Sequence, residues 1–191
     1  VVYVQLPNCD ATITQALAFA KEISTWSDGI TQIGMKIPPY KDILSAVPQL
    51  EEYVETNVTG VSDAATALFA ASYGVRYVSV IPGRMEEAGI DADAHLKQIT
   101  DSVLGRTEII AGSMRTLDGL KRAVRLGTVP TIGGTVFGLV SVEPNVLSRY
   151  PLDVPHSQEK PITIKTNVDL SCAFFKEMNK LGATAATEFG I

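Results

Sequence analysis

Apolar residues in this chain fall in short runs of four to seven positions, and stretches with helical spacing separate them. Val1-Val2-Tyr3-Val4-Gln5-Leu6 has the β-branched and aromatic bias of a strand. Residues 11–24 predict a helix with Asp10 at its N-cap. A strand follows over about 29–37, a helix-like stretch over 40–52 and a third strand over 53–59. Residues 62–73 predict an Ala-rich helix, with Ser62 or Asp63 near its cap and Gly74 to stop it. Strands are then expected over 75–81, 107–111 and 129–132, with helices over 93–104 and 116–126, the latter closed by Gly127. A less regular helical stretch runs to about Tyr150. Residues 151–161 hold three prolines and read as a loop. A seventh strand over 162–166, a helix over 170–181 ended by Gly182 and an eighth strand over 183–187 complete the chain.

Eight short apolar strands alternating with seven helices predict a parallel sheet covered on its outer face. The closed (β/α)8 barrel, the TIM barrel, is the architecture that best suits eight such units, and a doubly wound open sheet is the rival. No G-x-G-x-x-G follows the first strand, which weakens a dinucleotide-binding version of the rival. The 191 residues suffice for one domain with a substantial core, although they fall slightly short of the usual ~200-residue barrel.

Composition narrows the function. With 46% hydrophobic and 19% charged residues the chain is that of an ordinary folded protein. A net charge of -5 argues against a general nucleic-acid binder. No apolar run approaches the ~20 residues of a membrane span, and the N-terminus lacks the pattern of a signal peptide, so a cytoplasmic protein is expected. Cys9 and Cys172 have no metal-ligand spacing and read as reduced thiols. His95 and His156 are the sole histidines, and both are expected at the surface. A Ser-His-Asp triad or a His-rich zinc site is therefore poorly supported, and no metal or cofactor is expected.

Lys36 is the most informative residue. It lies in the apolar run Ile33-Gly34-Met35-Lys36-Ile37-Pro38. Burial disfavours the ammonium form, and a neutral amine attacks carbonyls to form Schiff bases. The plain alternative is a strand-end lysine whose ammonium reaches water. In a barrel the chemistry gathers at the C-terminal strand ends. Those ends carry Gln5, Lys36, Asn57 with Thr59, Ser79 with Arg84, and Ser113 with Arg115. Asn57 and Thr59 are two apart and so share a strand face. The two arginines and a serine would make a phosphate clamp, because guanidinium matches phosphate geometry. Gly133-Gly134 could offer backbone N–H groups to an anion or simply form a tight turn.

Four pieces together carry a family resemblance: Met35-Lys36-Ile37-Pro38, Thr56-Asn57-Val58-Thr59, Tyr77-Val78-Ser79-Val80-Ile81-Pro82-Gly83-Arg84 and Ala111-Gly112-Ser113-Met114-Arg115. Over residues 1 to about 140 the chain resembles the small transaldolase and fructose-6-phosphate aldolase family, Schiff-base (β/α)8 enzymes. The resemblance implies that Lys36 is the Schiff-base lysine and that Gln5 helps place a catalytic water. It implies that Asn57 and Thr59 hold substrate hydroxyls and that water, and that Ser79, Arg84, Ser113 and Arg115 surround the substrate and its phosphate. Ile81 stands where the family often has an aromatic residue. A sugar phosphate substrate follows, with dihydroxyacetone transfer or cleavage as the reaction and a pentamer or decamer as the assembly.

The order of the chain departs from the family. Residues 1–150 match the family's third to eighth strands, and 162–191 resemble its first two, joined by 151–161. This reads as a circular permutation; an incomplete barrel with an unrelated extension is the alternative. The family's first strand ends in an acid/base aspartate. Here that position is Thr166, with Asp169 three residues on, and the second strand ends in Thr187-Glu188-Phe189. Glu188 is the candidate for the missing carboxylate. Two other functions stay open: a non-catalytic phosphate-binding or rearranged barrel, and another Schiff-base sugar-phosphate lyase such as a deoxysugar-phosphate aldolase.

Overall fold

The computed structural model describes residues 1–114 and 116–132. Six strands form one sheet: β1 (Val2–Gln5), β2 (Ile33–Ile37), β3 (Glu55–Val61), β4 (Tyr77–Val80), β5 (Glu108–Met114) and β6 (Val129–Ile132). Every neighbouring pair is parallel, and the spatial order follows the chain order, β1-β2-β3-β4-β5-β6. Between them lie α1 (Ile13–Ser24), α2 (Lys41–Ser45), α3 (Val47–Leu50), α4 (Ala64–Ser72), α5 (Pro82–Glu87), α6 (Ala92–Val103) and α7 (Leu117–Arg125). Helical crossovers joining successive parallel neighbours curl the sheet in one sense. The result is a six-stranded parallel α/β arc compatible with a TIM-like barrel. The two further strands expected over 162–166 and 183–187, the joining loop and the permutation lie outside the described residues.

Strand alternation decides what each face holds. Met35 and Ile37 of β2, Val58 of β3, Val78 and Val80 of β4 and Ile109 and Ala111 of β5 turn outward into the core under the helices. Ala16, Ala20 and Ile23 of α1 and Leu96, Ile99 and Val103 of α6 meet them at helical spacing. The opposite face carries Tyr3, Lys36, Asn57, Ser79 and Ile110, and it is the inner face of the arc. Ile99 is fully buried. Ile99→Ala removes three buried carbons and leaves a cavity, so it should lower the free energy of unfolding by about 2–5 kcal/mol. A urea titration checks this, with a lower midpoint and an unchanged slope.

Element ends depart from the sequence expectations for local reasons. Thr12, not Asp10, caps α1: its Oγ1 accepts from the Gln15 N–H, and the Gln15 side chain accepts from the Thr12 N–H, a full capping box. The stretch 40–52 splits into α2 and α3, with Pro48 in the first turn of α3, where its missing N–H costs nothing. Asp63 caps α4 by accepting from the Thr66 N–H at 2.8 Å. The Ile81-Pro82-Gly83 turn is in fact the start of α5, with Pro82 opening the helix. His95, expected at the surface, is half-buried on α6, and its Nε2 has no hydrogen-bond partner among the described residues.

Candidate active site

A cavity of about 250 Å³ opens on the inner face and is lined by Tyr3, Lys36, Asn57, Thr59, Ser79, Ile81, Ile110, Gly112, Ser113 and Thr131. Register explains why these residues meet. Lys36 pairs across the ladder with Asn57, and Thr59 pairs with Ser79 two residues further on, so three strands bring one amine, one amide and two hydroxyls to successive rungs of the same face. Ser79 Oγ donates to Asn57 Oδ1 at 2.8 Å across 22 positions of sequence. Asn57 is 1% exposed and Ser79 5%, so this bond is shielded from water and fixes both groups. Thr59 is also buried. Gly60, at φ 84°, ends the regular β3–β4 ladder directly after Thr59, and the register shifts there.

Among the described residues Lys36 is the single cation on this lining. Its side chain makes no hydrogen bond or ion pair with any other described residue, and burial alone holds its pKa below the ordinary lysine value. The unfolded chain binds the proton up to about 10.5, whereas the folded chain releases it earlier. Between the two values the unfolded state binds more protons, so stability rises with pH across that window, and the full penalty is present below it. Lys36→Met should therefore stabilise the fold near neutral pH, and the gain should vanish as the pH passes 10.5. Urea midpoints of both proteins at about pH 7 and about pH 10.5 measure this.

Ser113 has φ 55°, the one positive value at a non-glycine residue among those described. The strain lies at the end of β5, where the β5–β6 register also shifts, and it turns the serine onto the cavity wall. Thus Lys36, Asn57, Thr59, Ser79 and Ser113 are brought together. Gln5 is the ladder partner of Lys36 at the end of β1, but it does not line the cavity. Arg84 does not line it either: it sits on α5, and its Nη1 lies 3.0 Å from Glu87 Oε2. Arg122 braces that helix, with Nη2 2.8 Å from Glu86 of α5 and Nε 2.9 Å from Asp93 of α6. Arg115, Gly133-Gly134 and Glu188 lie outside the described residues.

The sequence reading missed Tyr3, Ile110 and Thr131 as site residues. Period-two alternation from Gln5 would have placed Tyr3 on the inner face. Among the described residues no group of three His, Cys, Asp or Glu side chains is arranged to hold a metal ion. No described helix is long and apolar enough to cross a membrane.

No family model matches the chain. Curated relatives do. It is 34% identical over 142 residues to a "Probable transaldolase" of Streptococcus agalactiae serotype V, covering 72% of this chain and 63% of the relative. It is 34% identical over 139 residues to one of Lactiplantibacillus plantarum, covering 69% and 63%. The match to one of Rhizobium meliloti is 34% over 124 residues, covering 63% and 57%. A solved chain described as "PaMucR Phosphodiesterase, c-di-GMP complex" reaches a TM-score of 0.35 at 13% identity, a likeness too slight to bear on fold or function. The chain thus spans about three-fifths of the length of these relatives named probable transaldolase.

Proposed function

We propose that this chain is a transaldolase-like class I aldolase acting on a ketose phosphate such as fructose 6-phosphate. The observation that carries the reading is Lys36: an amine without a counter-ion among the described residues, partly withdrawn from water, in a cavity walled by the Asn57 amide and the hydroxyl-bearing side chains of Tyr3, Thr59, Ser79, Ser113 and Thr131. Its Nζ attacks the C2 ketone, and loss of water leaves an iminium. The C3–C4 bond breaks, its electron pair passes into the iminium to give an enamine, and the C4 hydroxyl proton goes to a carboxylate. The aldose phosphate leaves. The enamine then either takes a proton at C3 or attacks an acceptor aldehyde, whose oxygen takes up the proton, and in both cases water hydrolyses the resulting iminium to free the product and restore the amine.

Asn57, Thr59 and Ser79 suit the substrate hydroxyls, because the shielded Asn57–Ser79 bond orients both groups in advance. Gln5 and Thr59 share the placement of the water. Ser113, Arg84 and Arg115 are assigned to the phosphate, which asks Arg84 to exchange its Glu87 contact for substrate. Residues 162–191 complete the barrel in permuted order. Among the described residues Lys36 offers the amine for the imine, and no carboxylate lines the cavity to take up the C4 hydroxyl proton.

Substrate profiling tests the reading. With fructose 6-phosphate alone, a lyase releases dihydroxyacetone and glyceraldehyde 3-phosphate. A transferase releases glyceraldehyde 3-phosphate appreciably only when an acceptor aldose phosphate is added, and the dihydroxyacetone unit then appears in a new ketose phosphate and not as free dihydroxyacetone. Faster cleavage of deoxyribose 5-phosphate than of either would replace the proposal with a different Schiff-base lyase. No reaction with any of them, together with phosphate binding, would leave a binding scaffold.

A further inference from the structure

The inner face carries a second structure below the amine. The Tyr3 ring lies across β2 directly over Gly34: a Cβ at position 34 would stand 2.5 Å from Cε1 and 2.7 Å from Cδ1 of the ring. Gly34 is two residues before Lys36 on the same face, so the ring occupies the space immediately beneath the lysine, and both Tyr3 and Lys36 line the cavity. The ring is held at its far end. Its hydroxyl donates to Glu55 Oε1, and Glu55 Oε2 is 4.0 Å from Arg76 Nε. Its flank meets the Tyr77 ring edge-on, with centroids 6.0 Å apart and an interplanar angle of 81°.

We propose that Tyr3 is a positioning residue for Lys36: its tethered ring forms the floor of the amine's pocket and shuts water away from that side. The idea rests on the Schiff-base reading, and it adds a cause for the amine's reactivity. Among the described residues the titratable groups near Lys36 are few. On β1 there is Tyr3, whose pKa burial and then Glu55 raise, so it stays neutral and offers no negative charge to hold an ammonium. On β3 there is Glu55, engaged by Tyr3 and Arg76. On β4 there is Tyr77, with Arg76 just before it, and on β5 Glu108, 3.5 Å from Arg76 Nη2. On α1, packed against the other face of β2, Lys21 and Glu22 are exposed. None of these charges perturbs Lys36, and desolvation alone does. The side chain that desolvates from below is therefore the one to remove.

The test reads the amine directly and needs no substrate. The rate at which fluorodinitrobenzene labels Lys36 is followed against pH in the full chain by peptide mass, with an unstructured lysine peptide as reference. In the parent protein Lys36 should label with a midpoint below that of the peptide. In Tyr3→Leu the midpoint should rise toward the peptide value, and a rise of about one pH unit lowers the neutral fraction at fixed pH roughly tenfold. Tyr3→Phe keeps the ring and should keep the midpoint. Gly34→Ala evicts the ring without touching Tyr3 and should reproduce Tyr3→Leu. An unchanged midpoint in both Tyr3→Leu and Gly34→Ala would overturn the proposal, as would a midpoint in Tyr3→Phe as high as that in Tyr3→Leu. Because labelling is independent of turnover, failure here leaves the aldolase reading standing. A raised midpoint in Tyr3→Leu of a protein that never cleaves sugar phosphates would do the reverse.

Discussion

Lys36→Arg should abolish turnover of a ketose phosphate, lowering kcat by about 10⁴- to 10⁶-fold, the scale on which loss of a covalent nucleophile acts. Arginine keeps a positive charge and a long stem at this position, but guanidinium stays protonated and does not condense with a ketone. The substitution thus separates chemistry from electrostatics. Asn57, Thr59, Ser79 and Ser113 remain in place to hold the sugar, so KM should change far less than kcat. Steady-state kinetics on the purified variant, with circular dichroism to confirm the fold, checks this. A variant retaining even a tenth of the parent kcat would remove Lys36 from the mechanism.

The second large effect is expected at Glu188. Breaking C3–C4 requires a base for the C4 hydroxyl, and a positioned general base contributes about 10²–10⁴-fold. Among the described residues the cavity lining offers the Lys36 amine with amide, hydroxyl and apolar groups but no carboxylate. The nearby acids are committed elsewhere, Glu55 to Tyr3 and Arg76, Glu108 to Arg76. If residues 183–187 form the neighbouring strand of a closed barrel, Glu188 stands at its C-terminal end, where barrel enzymes keep their acids and bases. Glu188→Gln should therefore lower kcat by about 10²–10⁴-fold while imine formation at Lys36 persists, because imine and cleavage use different groups. Borohydride trapping of the variant at the parent's rate, with slow product release, is the expected pair of results. Undiminished aldol cleavage would take Glu188 out of the mechanism.

Much of this arrangement can be read from one dimension. The alternation around Lys36 places Met35 and Ile37 in the core and the amine on the other face, and that follows from strand geometry alone. The strand-helix rhythm likewise leads to a parallel sheet in chain order. What escapes the sequence depends on contacts between distant segments. The Asn57–Ser79 bond exists because of a register that no local pattern reveals. The Tyr3 ring has its place because the residue across the ladder happens to be Gly34. Arg84 looks like a phosphate ligand in the sequence, yet α5 presents it to Glu87, a neighbour one turn on. That helix is six residues long, too short for a helical period to show, and its opening proline resembles a turn. His95 reads as a surface residue in a charged stretch, but it sits on the side of α6 that shares its helical row with Ala92 and Ile99.

The central claim is that the Lys36 amine forms a covalent imine with the substrate. Incubation of the full chain with fructose 6-phosphate and sodium borohydride, followed by intact and peptide mass, tests it most directly. The account predicts one reduced adduct per chain, on the peptide carrying Lys36, absent from Lys36→Arg and absent without sugar. An unmodified chain, or an adduct on another lysine that survives in Lys36→Arg, would contradict it.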